Sequence, residues 1–136
     1  MSVCYLDASA MVKLIVREPE SEALRDYLRE APGTGVTALC SSRLGYTEVI
    51  RALRRRAPEL LAAGREYLRG VHWLGVTDSI SERAAGLDPT QLRTLDSLHL
   101  ATALAEASLL RHVVVYDTRL AESCRHAGLE VVAPGQ

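Results

Sequence analysis

The chain has 136 residues, of which 48% are apolar, and a formal net charge of −1. That length and apolar fraction suit one domain with a real core, spanning residues 1–136. The near-neutral charge excludes a polyanion binder that works by net charge alone, so any nucleic-acid contact must come from a local basic patch.

Residues 3–6 predict a buried strand, and residues 8–17 a helix that Pro19 terminates. Residues 20–30 predict a second, amphipathic helix with Leu24, Tyr27 and Leu28 on one face. A Pro-Gly-Thr-Gly turn is expected at 32–35 and a strand at 36–41. A long helix covers about 42–56, and Pro58 opens another that ends near Gly70. Residues 71–76 give a third strand, 79–86 a short helix, and Asp88-Pro89 a turn. The helix carrying Asp96 runs to about residue 108. The fourth strand is 113–117, followed by a helix over 119–127 that Gly128 closes. Val131 and Val132 make a short last strand before Pro134.

Short apolar strands alternating with helices imply a parallel sheet covered on both faces. Ligands in such folds bind at the carboxyl ends of the strands, where Asp7 and Asp117 are expected to sit directly. Cys4, Cys40 and Cys124 are odd in number, far apart and without zinc-ligand spacing, so buried free thiols in a reducing compartment are expected. Asp7 and Lys13 interrupt the N-terminal apolar stretch, and neither a secretory leader nor a bilayer-length span is visible. A cytoplasmic protein without membrane contact is expected.

Four acids stand where acids are costly. Asp7 ends the run Val3-Cys4-Tyr5-Leu6, and Asp117 ends Val113-Val114-Val115-Tyr116. Glu48 lies among Leu44, Val49, Ile50 and Leu53, and Asp96 opens an apolar helix. Carboxylates that converge on one sheet edge repel one another unless a cation neutralises them, which points to a hard-metal site and phosphoryl chemistry. Each acid has a plainer role open to it. Asp7 and Asp117 suit helix N-caps, Asp96 competes with Thr94 for a cap, and Glu48 suits a solvated surface. Ser9 suits either a rival cap or a hydroxyl that holds a metal-bound water or phosphate oxygen. His99, one turn after Asp96, reads first as a buried, hydrogen-bonded structural residue and second as a general base. Arg51, Arg54 and Arg55 share a helical face, as a solvated surface or as a grip on phosphates.

These residues resemble the PIN-domain ribonucleases, and among them the VapC toxins of type II toxin–antitoxin pairs. The resemblance covers nearly the whole chain. Tyr5-Leu6-Asp7-Ala8-Ser9-Ala10 is similar to the family's opening strand with its first acid. Tyr46-Thr47-Glu48-Val49-Ile50-Arg51-Ala52 is similar to its Glu-bearing helix. Leu95-Asp96-Ser97-Leu98-His99-Leu100-Ala101-Thr102-Ala103 carries the most specific match, with Ser97 in place of the more usual Ala. Tyr116-Asp117-Thr118-Arg119-Leu120-Ala121 and the segment Gly128-Leu129-Glu130-Val131-Val132-Ala133-Pro134 are similar to the fourth acidic motif and closing strand.

The resemblance implies a three-layer α/β/α sandwich with a mainly parallel sheet of about five strands. It implies Mg²⁺- or Mn²⁺-dependent cleavage of RNA to 5′-phosphate and 3′-hydroxyl ends. Asp7, Asp96 and Asp117 would hold the metal, while Glu48 would orient the attacking water or hold a second ion. It also implies a homodimer and a small VapB-type antitoxin, docked near helices that carry Met11, Leu14, Ile15, Leu24, Tyr27 and Leu28. Two other classes compete. A haloacid-dehalogenase-like phosphotransferase wants a second Asp two residues after the first, where this chain has Ser9. A non-catalytic RNA-binding or interaction module has no use for four convergent acids.

Overall fold

The computed structural model describes residues 2–30 and 36–136, and the turn expected at 32–35 lies outside them. Five strands form one sheet: β1 (Ser2–Leu6), β2 (Val36–Ser42), β3 (His72–Leu74), β4 (Leu110–Val114) and β5 (Val131–Val132). Their order is β3-β2-β1-β4-β5, and every neighbouring pair is parallel. In the described residues the helices are α1 (Ala8–Ile15), α2 (Ser21–Arg29), α3 (Arg43–Arg56), α4 (Leu61–Leu68), α5 (Asp78–Ala85), α6 (Thr94–Ala105) and α7 (Thr118–His126).

Period-2 alternation along the strands builds two cores. Cys4, Leu6, Val114 and Tyr116 face one side, where they meet Met11, Leu14, Leu24, Val49, Leu53 and Leu68 of α1 to α4. Tyr5, Cys40, Val113 and Val115 face the other, against Leu100, Ala103, Leu120 and Cys124 of α6 and α7. Helices thus cover both faces, giving the three expected layers. All three cysteines are free and buried, and burial pushes each thiol up to about 12.

The strand order decides where a site can form. From β1 the chain moves outward through β2 to β3. It then crosses back through α5 and α6 to place β4 on the other side of β1. The crevice at the carboxyl ends of β1 and β4 is therefore the topological switch point of the sheet.

Several boundaries differ from the sequence expectation. α1 stops at Ile15, before Arg17, with Val16 in extended backbone. The segment after Pro58 starts as a 3₁₀ turn, Pro58–Leu60, before α4 begins. β3 shrinks to three residues at the sheet edge, because its one neighbour is the end of β2. β4 is displaced toward its N-terminus, because β1 pairs with it from Leu110 to Val114. Asp117 consequently stands three residues beyond the strand rather than at its end.

Candidate active site

The site grows from the two turns that leave β1 and β4. Asp7 is the N-cap of α1, where its Oδ1 accepts the Ala10 N–H at 2.9 Å. The Ser9 hydroxyl donates to the same oxygen at 2.8 Å. Asp117 is the N-cap of α7, and its Oδ1 accepts the Leu120 N–H at 2.9 Å. The capping role weighed for both residues is therefore real. It also serves the site, because it leaves the second oxygen of each carboxylate without a hydrogen-bond partner among the described residues. Ser9 is not a rival cap; it supports Asp7.

Glu48 and Asp96 arrive differently. α3 starts directly off β2, capped by Ser42, whose Oγ accepts the Leu44 N–H at 3.3 Å. Glu48 follows in its second turn. Its Oε1 lies 2.6 Å from His99 Nε2 of α6. Asp96 sits in the first turn of α6, whose N-cap is Arg93 with no side-chain capping bond. Neither Asp96 nor Thr94 caps the helix.

Burial grades across the cluster from Asp7, which is 6% exposed, to the exposed Asp117. Burial pushes the Asp7 carboxyl up to about 6, against the stabilising hydrogen bonds from Ala10 and Ser9, and the Glu48 charge adds to the rise. Asp96 is also held above the usual carboxylate range, first by burial and then by the charge of Asp117, with His99 and Arg93 opposing. The acids therefore feel one another across the crevice. Among the described residues, none of the four pairs with Lys or Arg.

Two clefts flank the acids. The first, about 620 Å³, is lined by Asp96, Asp117, Arg93, Arg119 and His126. The second, about 580 Å³, is lined by Ser9, Lys13, Glu48, Arg51, Arg55 and Leu95. Lys13 in the second cleft is tied to Glu20 at 2.9 Å, and Arg56 to Glu18 at 2.6 Å. Arg51 and Arg55 make no ion pair among the described residues. They follow Glu48 along α3 at three and seven positions, so they share its face. Arg54, six positions on, lies outside the lining of this cleft.

A family model described as the PIN domain matches residues 4–131, which span all four acids. The chain belongs to the PIN-domain family. Ribonuclease VapC46 of Mycobacterium tuberculosis is 42% identical over 98% of this chain and 99% of that protein, which places the PIN domain among the VapC proteins. Two solved structures share the fold. The VapC20 toxin of Mycobacterium tuberculosis, described as cleaving the sarcin-ricin loop, is 16% identical, with a TM-score of 0.75 over 96% of this chain and 99% of that one. A toxin–antitoxin complex from Klebsiella pneumoniae contains a chain 20% identical, with a TM-score of 0.72 over 96% of this chain and 97% of its own.

The donor set of this PIN domain suits a hard dication. It consists of carboxylate oxygens, and among the described residues Asp7 and Asp117 have no cationic partner and a second oxygen without a hydrogen bond. The arrangement is open. Among the described residues, no three His, Cys, Asp or Glu side chains lie close enough to hold a common ion. Sequence reasoning missed Arg93, Arg119 and His126. Only their place beside Asp96 and Asp117 could have marked them, and the fold brings those two motifs together.

Proposed function

We propose that this PIN domain is a metal-dependent ribonuclease, which hydrolyses RNA phosphodiester bonds as the toxin of a VapBC-type pair. One observation carries the reading: among the described residues, Asp7, Glu48, Asp96 and Asp117 have no Lys or Arg partner, and Glu48 lines one cleft and Asp96 and Asp117 the other, each beside arginines that make no ion pair there. The phosphotransferase alternative lacks its second Asp, and a passive RNA-binding module would be repelled by these acids.

Asp7, Asp96 and Asp117 are the residues to hold Mg²⁺ or Mn²⁺, with Glu48 at its margin. When bound, the ion offsets the carboxylate charge and stabilises the charge that develops on the phosphoryl oxygens. The chain's own groups do the rest. Ala10 N–H and Ser9 O–H fix the rotamer of Asp7, and Leu120 N–H fixes that of Asp117. Arg51 and Arg55 on one side, and Arg93 and Arg119 on the other, grip phosphates that flank the scissile bond. Glu48 orients a water for in-line attack on phosphorus. The water oxygen bonds to phosphorus, the bond to the 3′ oxygen breaks, and a proton passes to that leaving oxygen. The products end in 5′-phosphate and 3′-hydroxyl.

The partner is a small VapB-type antitoxin, a reading supported by the toxin–antitoxin complex whose chain shares this fold. Met11, Leu14 and Leu24 are spent in the core, so half-buried Ile15, Tyr27 and Leu28 are the apolar groups left for docking. No described helix is long and apolar enough to cross a membrane. A cytoplasmic homodimer completes the proposal, and sedimentation of the chain alone and with its antitoxin tests it. For the activity, the purified chain is incubated with end-labelled single-stranded RNA in Mg²⁺, in Mn²⁺ and in chelator, beside D7N. Cleavage that needs the ion and vanishes in D7N is expected. Cleavage that persists in D7N would come from a contaminant and remove the support.

A further inference from the structure

We propose that His99 is the positioning residue for Glu48, held at its other nitrogen by Tyr5, so that the buried second core sets the direction of a carboxylate in the active-site cleft. The inference rests on the nuclease reading of that site.

The geometry is a closed relay. His99 is 3% exposed, and its Nε2 lies 2.6 Å from Glu48 Oε1. Its Nδ1 lies 2.6 Å from the Tyr5 hydroxyl in β1. Tyr5 is 1% exposed, and its oxygen in turn accepts the Ser42 N–H at 3.1 Å. A carboxylate can only accept, so Nε2 carries the proton. At Nδ1 the partner is the Tyr5 hydroxyl, whose oxygen also accepts the Ser42 N–H. Both ring nitrogens of His99 are thus engaged, one by each neighbour. The rings of Tyr5 and His99 also meet edge to face, 5.9 Å between centroids.

A purely structural histidine needs only partners for its two nitrogens, and nearby backbone carbonyls would serve. Here one nitrogen is spent on a carboxylate that faces the cleft and whose side chain is 30% exposed. The grip takes Oε1 and leaves Oε2 with no hydrogen bond to the described residues. Gly45 packs tightly at the start of α3 beside this pair. A Cβ there would stand 2.9 Å from both Met11 Cε and Ser41 Oγ, and 3.4 Å from His99 Cε1. A larger residue there would first require Met11 and Ser41 to give way.

Partners of this kind that orient a ligand-bearing group are worth about 10- to 100-fold in activity. Single-turnover cleavage and RNA affinity are measured for wild type, H99L, H99Q and Y5F at saturating ion. H99L is expected to slow cleavage about 10- to 100-fold, with RNA affinity within about twofold. H99Q, whose amide N–H can stand in for Nε2–H, should recover most of that loss, and Y5F should fall between wild type and H99L. A wild-type rate in H99L, or an H99Q no better than H99L, overturns the proposal. Imidazole ¹⁵N shifts of His99 in wild type and E48A cover the case in which H99L does not fold. A proton on Nε2 in the wild type, with a shift that moves in E48A, supports the grip; identical shifts overturn it. A wild type that cleaves no RNA with any ion fails the nuclease reading instead, and the ¹⁵N comparison still reports on the grip.

Discussion

The four acids of the proposed site are held in two different ways. Asp7 and Asp117 sit in strand-to-helix turns, and each is fixed by an N–H three residues ahead of it. Glu48 and Asp96 ride on helices. Glu48 is gripped by a residue 51 positions away, and Asp96 by no hydrogen bond among the described residues. The first pair is built by local backbone chemistry and persists wherever the helix starts correctly. The second pair depends on two helices meeting across the sheet. The site therefore combines two rigid anchors with two acids whose placement reports tertiary packing.

The largest effect separates charge from architecture. D96N removes a charge and no cap, so RNA cleavage should fall on the order of 10²- to 10³-fold, the scale for deleting one preorganised electrostatic group. Far-UV circular dichroism and melting of the metal-free protein should stay unchanged or improve. Isothermal titration with Mn²⁺ should show weakened binding, and equal affinities would remove Asp96 from the site.

The second prediction concerns Asp7 without metal. Its folded carboxyl titrates near 6, against about 3.8 when unfolded. The native state therefore binds this proton more tightly than the unfolded chain does. The stability it contributes is full below about pH 4, is lost as pH rises through about 6, and stays lost above. The loss is on the order of 3 kcal/mol. Asn caps a helix as well as Asp, so D7N keeps the turn and removes this dependence. Urea titrations in chelator at pH 4.5 and pH 7.5 should show a smaller gain for D7N at the lower pH than at the higher. A marked loss of stability in D7N at both would mean that the carboxylate is there for structure.

Capping gives the third contrast. D117A should lose about 1 kcal/mol of metal-free stability, while D117N loses little, because only the former discards the bond to Leu120 N–H. The smallest effect is the salt dependence of RNA binding. With D96N as background, changing Arg51 and Arg55 to Ala should flatten the log–log slope by roughly 0.7 for each lost phosphate contact. R54A should leave it unchanged. An equal effect at Arg54 would erase the distinction between the cleft and the open helix face.

Much of this was legible in the residues. Val3-Cys4-Tyr5-Leu6 announces a central strand because it is apolar throughout, and Asp7 announces the helix that follows. The acids at 48 and 96 were marked by their apolar neighbours. The strand limits near Asp117 were not legible, because Val113 to Tyr116 is equally apolar whether or not it is paired. Its pairing was decided by register with β1. The partner of His99 was invisible too. A histidine between two leucines says that it is buried, and nothing local says that its nitrogens meet a tyrosine in β1 and a glutamate in α3. The basic residues Arg93, Arg119 and His126 failed to stand out for the same reason, since their meaning lies in a cleft between two distant segments.

The three buried cysteines give this molecule an internal clock. Cys4 lies in one core, while Cys40 and Cys124 lie in the other, and each thiol is pushed up to about 12. A thiol reagent at neutral pH meets neither access nor thiolate in the folded chain. Modification must wait for the core to open, so its rate reads the opening equilibrium directly. If both layers part in one cooperative step, the three sites are labelled together, and partially modified chains stay rare. Staggered labelling, with Cys124 ahead of Cys4, would show that α7 peels from the sheet while the layer over Cys4 stays closed.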